Sequence, residues 1–252
     1  MQTYLNSPEL KAAFLAEITK HEVQDMFIKG TYGQMNGDFK GCAIGCSLHS
    51  LNVLQGKTGA ALADLTDHHE RYPAELGWPL WLAHLEDIIF ENLPDDLATT
   101  WPRRIAEAVP VGTVVADIVL AKILRWMLAD PEFGVRFATD DEEIRGYIDG
   151  MIAGFDAEIV SGGQATAEER EAAARAAWHA WGARAANAAR AAWSIMDAWD
   201  TWIARDACDA WAVMNALAAI AGSKADAFFP ALSLHVLTLL RELPTDFEKA
   251  SV

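Results

Sequence analysis

From Thr166 to Ala221 the chain is dominated by alanine and carries six of its ten tryptophans, and this stretch narrows the possible folds more than any other. Alanine fixes a helix at the lowest cost in side-chain entropy. Trp178, Trp181, Ala185, Ala189, Trp193, Met196, Trp199 and Ile203 recur at helical period, with arginines and aspartates between them. The spacing predicts long helices, broken near Asn187 or Asp206, that pack closely through alanine while tryptophan fills the gaps. Core or oligomer contact is the expected use of these rings, ahead of a cofactor box or a carbohydrate platform. Thr166 and Glu169 make a capping box for this part, and Ser161-Gly-Gly-Gln-Ala165 before it is the hinge candidate.

The preceding chain also reads as helices. Pro8 to Lys29 is amphipathic with Ser7 as its N-cap, and Gly41 to Leu54 forms the second helix. Ala60 to Tyr72 is a third, ending before Pro73. Its Asp67-His-His-Glu70 reads as a solvated helix end. Pro79 to Asn92 has Trp81, Leu82, Leu85, Ile88 and Ile89 on one face, and His84, Asp87 and Glu91 line a flank that could hold a metal but, with leucine and isoleucine opposite, reads as an ordinary wet face. Asp95 to Ala108 is broken near Trp101-Pro102. Val114 to Leu128, a helix capped by Asp140 and Glu143 that reaches Val160, and Lys224 to Leu240 with Pro230 follow. The reading is all-α: a multi-helix bundle in a single domain, 1–252, with an Ala/Trp-rich C-terminal part.

Charge decides which partners suit the chain. Twenty basic residues against 36 acidic ones leave a formal charge of −16 with no segregated basic patch, so nucleic acid and anionic lipid are repelled. No stretch is long and apolar enough to span a membrane, and the N-terminus lacks the profile of a signal peptide, so a soluble cytoplasmic protein is expected. Three cysteines in so long a chain do not make a disulfide scaffold.

Chemistry concentrates in Lys40-Gly-Cys-Ala-Ile-Gly-Cys-Ser-Leu-His49, where Cys42, Cys46 and His49 fall within roughly 60° of one helix face. Cys42 lies in the first turn, where unpaired amides, the helix dipole and Lys40 favour a thiolate. Gly41 and Gly45 let another backbone approach closely. In the first helix, His21 and Asp25 fall on the apolar arc, four residues apart, so they either satisfy each other or face a cleft.

Three readings of this cluster stay open. In one, the cysteines are small buried hydrophobes and His21–Asp25 is an internal pair. In the second, Cys42 is a nucleophile, with His49 or His21 as its base and Asp25 as the orienting group. In the third, Cys42, Cys46 and His49 hold a metal with His21 or Asp25, zinc being the ion that thiolate and imidazole suit.

The combination of His21-x-x-x-Asp25, Gly30-Thr-Tyr32, the Lys40–His49 segment, Leu85-Glu-Asp-Ile-Ile-Phe-Glu-Asn-Leu-Pro94, Trp101-Pro102 and the alanine-tryptophan run resembles a family of uncharacterised bacterial all-α proteins. The resemblance covers most of the chain and implies no substrate and no mechanism. It implies that the cysteine segment and the first helix belong together, which adds Tyr32 and Lys40 to the rim of the cluster. The function expected is a small-molecule hydrolase or transferase centred on Cys42, with His21, Asp25 and His49 catalytic and Tyr32, Lys40 and Cys46 lining the substrate site. No cofactor is required by that reading. The alternatives are a scaffold protein that oligomerises through its Ala/Trp helices and a Cys/His metal-binding protein.

Overall fold

The computed structural model describes residues 1–36, 38–66, 68–164 and 225–244. The Ala/Trp-rich run, with its capping box and its predicted breaks, lies outside the described residues. Within them the fold is all-α apart from one small hairpin. No described helix is long and apolar enough to cross a membrane. The chain divides into two compact units, one formed by residues 1–115 and 233–252, the other by residues 116–232.

In the first unit, α1 (Pro8–Val23) starts as its sequence requires, with Ser7 Oγ accepting from the Leu10 amide at 3.0 Å. It ends six residues earlier than the apolar pattern predicts. Asp25 takes a left-handed φ of 54°, and the chain beyond it pairs as an extended strand, with Ile28 N–H donating to Gly41 and Gly41 N–H donating to Met26. The apolar run Met26-Phe-Ile28 therefore serves a β-bridge, not a helix face. The antiparallel hairpin β1 (Gln34–Asn36) and β2 (Asp38–Lys40) follows and leads into α2 (Ala43–Leu54), of which Cys42 is the N-cap residue.

The close approach expected at Gly41 and Gly45 is present. A Cβ on Gly45 would lie 1.4 Å from the Tyr32 carbonyl oxygen, and one on Gly41 would lie 2.2 Å from it. The Cys42 amide donates to the Thr31 carbonyl at 2.8 Å. The Gly30–Gly33 segment thus lies across the start of α2, where nothing larger than glycine fits.

The predicted third helix is replaced by a 3-10 turn at Gly59–Ala63, a loop, and α3 (Arg71–Leu76), which contains Pro73. Asn52, fully buried on α2, pins this loop by donating to the Leu62 and Asp64 carbonyls while accepting from Lys57 and Arg71. α4 (Leu80–Asn92), α5 (Asp95–Ala98) and α6 (Trp101–Ala108) complete the unit, with the break before Trp101-Pro102 as predicted. α2 packs on α1 and α4, and α1 packs on α6. Lys11 caps the carboxyl end of α6 by donating to the Glu107 and Val109 carbonyls at 2.8 and 2.6 Å, where the helix dipole favours a cation.

In the second unit, α7 (Asp117–Ala129) packs on α8 (Glu142–Val160), which Asp141 caps through the Glu143 and Ile144 amides. Leu120, Leu124, Ile148, Met151 and Phe155 fill the space between them. Ser161–Gln164, at the expected hinge, form the turn that closes α8. The last described helix, α9 (Ala225–Arg241), carries Pro230 in its interior.

Two glycines separate packing from propensity. Gly45→Ala is expected to lower stability by about 3 kcal/mol or more, because the Tyr32 carbonyl cannot retreat without unseating its segment. Gly146→Ala, exposed on α8 with nothing within 4 Å, is expected to raise stability by about 0.5–1 kcal/mol. Denaturant titration of both variants checks the pair.

Candidate functional site

The structure separates the predicted cluster into two. His21 and His49 meet where α1 packs on α2: His21 Nε2 lies 3.3 Å from His49 Nδ1, with the rings edge-to-face at 5.1 Å. Phe39 stacks on His49 at 4.3 Å, and Phe27 packs against His21. His21 is buried, so desolvation holds its imidazole down to about 4, with His49 and Lys20 adding in the same direction. Desolvation also lowers His49, against an opposing effect of Glu17.

Asp25 does not join this pair. It lies past the end of α1 with its side chain exposed, and its carbonyl accepts from Lys40 Nζ at 3.1 Å. The expected His21–Asp25 contact is therefore corrected to His21–His49, and Lys40 braces the turn at Asp25. Cys46 is fully buried, with Sγ directed at the Gly41 and Met26 carbonyls at 3.4 and 3.7 Å. It is placed as the first of the three readings expected.

Cys42 belongs to the second cluster. Its Sγ and one carboxylate oxygen each from Asp87 and Glu91 all lie within 4.8 Å of one another. The thiol is 2% exposed, and burial followed by Asp87 pushes it well up, outweighing the Gly45 and Ile44 amides that pull it down. The helix start acts on Cys42 in the predicted direction but does not yield a free thiolate, because desolvation and a neighbouring anion oppose it.

The flank of α4 that reads as wet is in fact turned toward α2 and the 66–70 loop. His84, Asp87 and Glu91, at i, i+3 and i+7, meet Cys42 and His69 there. His69, read from the sequence as part of a solvated end, is 7% exposed and directs Nε2 at Asp87 Oδ2, 3.3 Å away. His84 stacks on His69 at 4.0 Å, and burial, then His69, holds it down to about 3. The His69 Nε2, His84 Nε2 and Asp87 Oδ1 atoms are all buried without a hydrogen bond. Glu91 is held by the Gly30 amide, which donates to Oε1 at 3.1 Å and to Oε2 at 3.0 Å.

Tyr32, expected at the rim of the Cys42–His21 cluster, lies instead beside the second group, against His68 and His69. Its ring stacks on His68 at 3.9 Å and meets His69 edge-on at 6.0 Å. Burial, then Asp87, Cys42, Glu70 and Glu91, push its phenol up to about 12, so it stays a neutral hydrogen-bond donor. Beneath the cluster the carboxyl of Glu86, 1% exposed, is pushed up to about 8 by burial.

The spacing of His84, Asp87 and Glu91 was the available signal for this site. It was outweighed because the groups they meet come from Cys42 and His69, far away in the chain. Comparison of the chain with protein-family models, curated proteins and solved structures finds no match.

The buried imidazoles make stability depend on pH. A folded-state value of about 4 against an ordinary 6.5 means that His21 stabilises the fold fully above 6.5, and that this contribution is lost as pH falls toward 4. The loss attributable to His21 is up to about 3 kcal/mol. His84 adds to the same window, so the measurement is the difference between wild type and His21→Asn in urea titrations at pH 7 and pH 4.5. A smaller acid loss is expected in the variant.

Proposed function

We propose that the chain is a metal-dependent hydrolase of small molecules, holding one divalent ion of the zinc class on Cys42, Asp87 and Glu91. The observation that carries this reading is the convergence of those three ligand atoms within 4.8 Å of one another around a thiol that is 2% exposed. Were Cys42 ionised, its thiolate and the two carboxylates would repel one another at this distance, and burial together with this repulsion holds the thiol protonated. A dication turns that repulsion into binding energy and deprotonates the thiol as it coordinates.

The surroundings suit such a role. Glu91 is oriented by the Gly30 amide, as carboxylate ligands are held by outer hydrogen-bonding groups, and Asp87 Oδ2 lies 3.3 Å from His69 Nε2. Three protein ligands leave a coordination position for water, the pattern of catalytic and not structural zinc. An ion held there by Cys42, Asp87 and Glu91 would supply the chemistry of a metal-activated water. The thiolate favours zinc over magnesium or calcium. Cys42 then acts as a ligand and not as the attacking group, which accords with a thiol pushed up by burial. We place the protein in a reducing cytoplasm, where Cys42 and Cys46 stay free thiols, and its charge of −16 argues against a nucleic-acid partner.

Titration of chelator-treated protein with cobalt(II) tests the site. One equivalent is expected to bind with a thiolate charge-transfer band. Cys42→Ser removes the band, Cys46→Ser leaves it, and His69→Ala weakens affinity roughly 10–100-fold. Binding that survives Cys42→Ser unchanged, or no binding at all, contradicts the proposal.

A further inference from the structure

Tyr32 is the exposed member of an aromatic series that runs inward from the surface. It is 38% exposed, stacks on His68, and meets His69 edge-on, and His69 stacks in turn on His84. The series ends at Asp87, toward which the buried His69 directs an Nε2 that makes no hydrogen bond. The series thus links the exposed Tyr32 ring to the group formed by Cys42, Asp87 and Glu91.

Among the described residues, the charged groups that act on Tyr32 are all acidic. Asp87, Cys42, Glu70 and Glu91 all act on Tyr32, and Glu70 is exposed. The cations of the flanking segments are engaged elsewhere. Lys29 Nζ donates to the Leu93 carbonyl and to Asp95, Lys57 Nζ donates to Asn52, and Arg71 is bound by Glu75, Asn52 and the Asp64 carbonyl. A dication on one thiolate and two carboxylates leaves one net negative charge, and Glu70 adds a second. That balance repels a phosphate or a carboxylate. An ammonium or guanidinium group is attracted, and an aromatic ring beside carboxylates is a favourable surface for it.

We infer that the ligand of this site is a small organic cation, bearing a protonated amine or guanidinium that rests against Tyr32 and Glu70 while its reacting group reaches the ion. The inference rests on the metal reading above and deepens it by naming the class of substrate. Tyr32 acts here as a specificity-determining residue.

The test uses the full-length, zinc-loaded protein and three probes of one shape, benzylamine, benzyl alcohol and benzoate, with binding followed by calorimetry at low ionic strength. Benzylamine is expected to bind roughly tenfold tighter than benzyl alcohol, and benzoate more weakly than either. Tyr32→Leu is expected to reduce benzylamine affinity roughly tenfold and Glu70→Gln roughly threefold, both with unchanged zinc content. Benzoate binding as tightly as benzylamine, no binding of any probe, or full benzylamine affinity in Tyr32→Leu overturns the inference. Zinc content measured in the same samples separates the two readings. Stoichiometric zinc without an amine preference sinks the ligand class alone, whereas a protein that takes up no zinc sinks the metal site beneath it.

Discussion

The contact between the Tyr32 carbonyl and the two glycines at the start of α2 sets the geometry of the site. With Gly41 and Gly45 bare, the Gly30–Gly33 segment presses against the helix. From that one seat its Gly30 amide reaches Glu91, its Thr31 carbonyl takes the Cys42 amide, and its Tyr32 ring reaches His68 and His69. The positions of Cys42 and Glu91 are thus tied to the backbone packing of this segment. Asn52 fixes the second boundary by holding the loop that leads to His69.

Electrostatics then gives this geometry its meaning. Burying a carboxyl or a thiol raises its pKa, and burying several together raises each further. Cys42, Glu91 and Tyr32 are all displaced upward, each with burial first and Asp87 among the further causes. Such a cluster costs stability as it stands, a cost that the cation we propose would offset. The His21–His49 pair has the opposite character. With His21 buried and His49 half-buried and stacked on Phe39, it belongs to the α1–α2 packing.

Much of the fold was legible because helix signals are local. The Ser7 cap, the break at Trp101-Pro102 and the close approach at Gly41 and Gly45 each depend on a few neighbouring residues, whereas the cap of α8 falls on Asp141, one residue past the predicted Asp140. The end of α1 was not legible, because Met26-Phe-Ile28 supports either a helix face or an extended strand, and only pairing with Gly41 decides between them. The same ambiguity misplaced Asp25. Within the site, Cys42 was found from local sequence and Tyr32 from the resemblance, whereas for His69, Asp87 and Glu91 a solvated face was preferred over metal ligation. Helical periodicity shows that His84, Asp87 and Glu91 share a flank, but not that a loop and a second helix cover it.

X-ray absorption at the zinc edge of the loaded protein tests the central claim most directly. The account predicts one sulfur scatterer at about 2.3 Å with the remaining shell of oxygen at about 2.0–2.2 Å, from a single thiolate and two carboxylates. Two sulfurs in the shell would bring in Cys46, and none would remove Cys42. Either result contradicts a centre built on Cys42, Asp87 and Glu91.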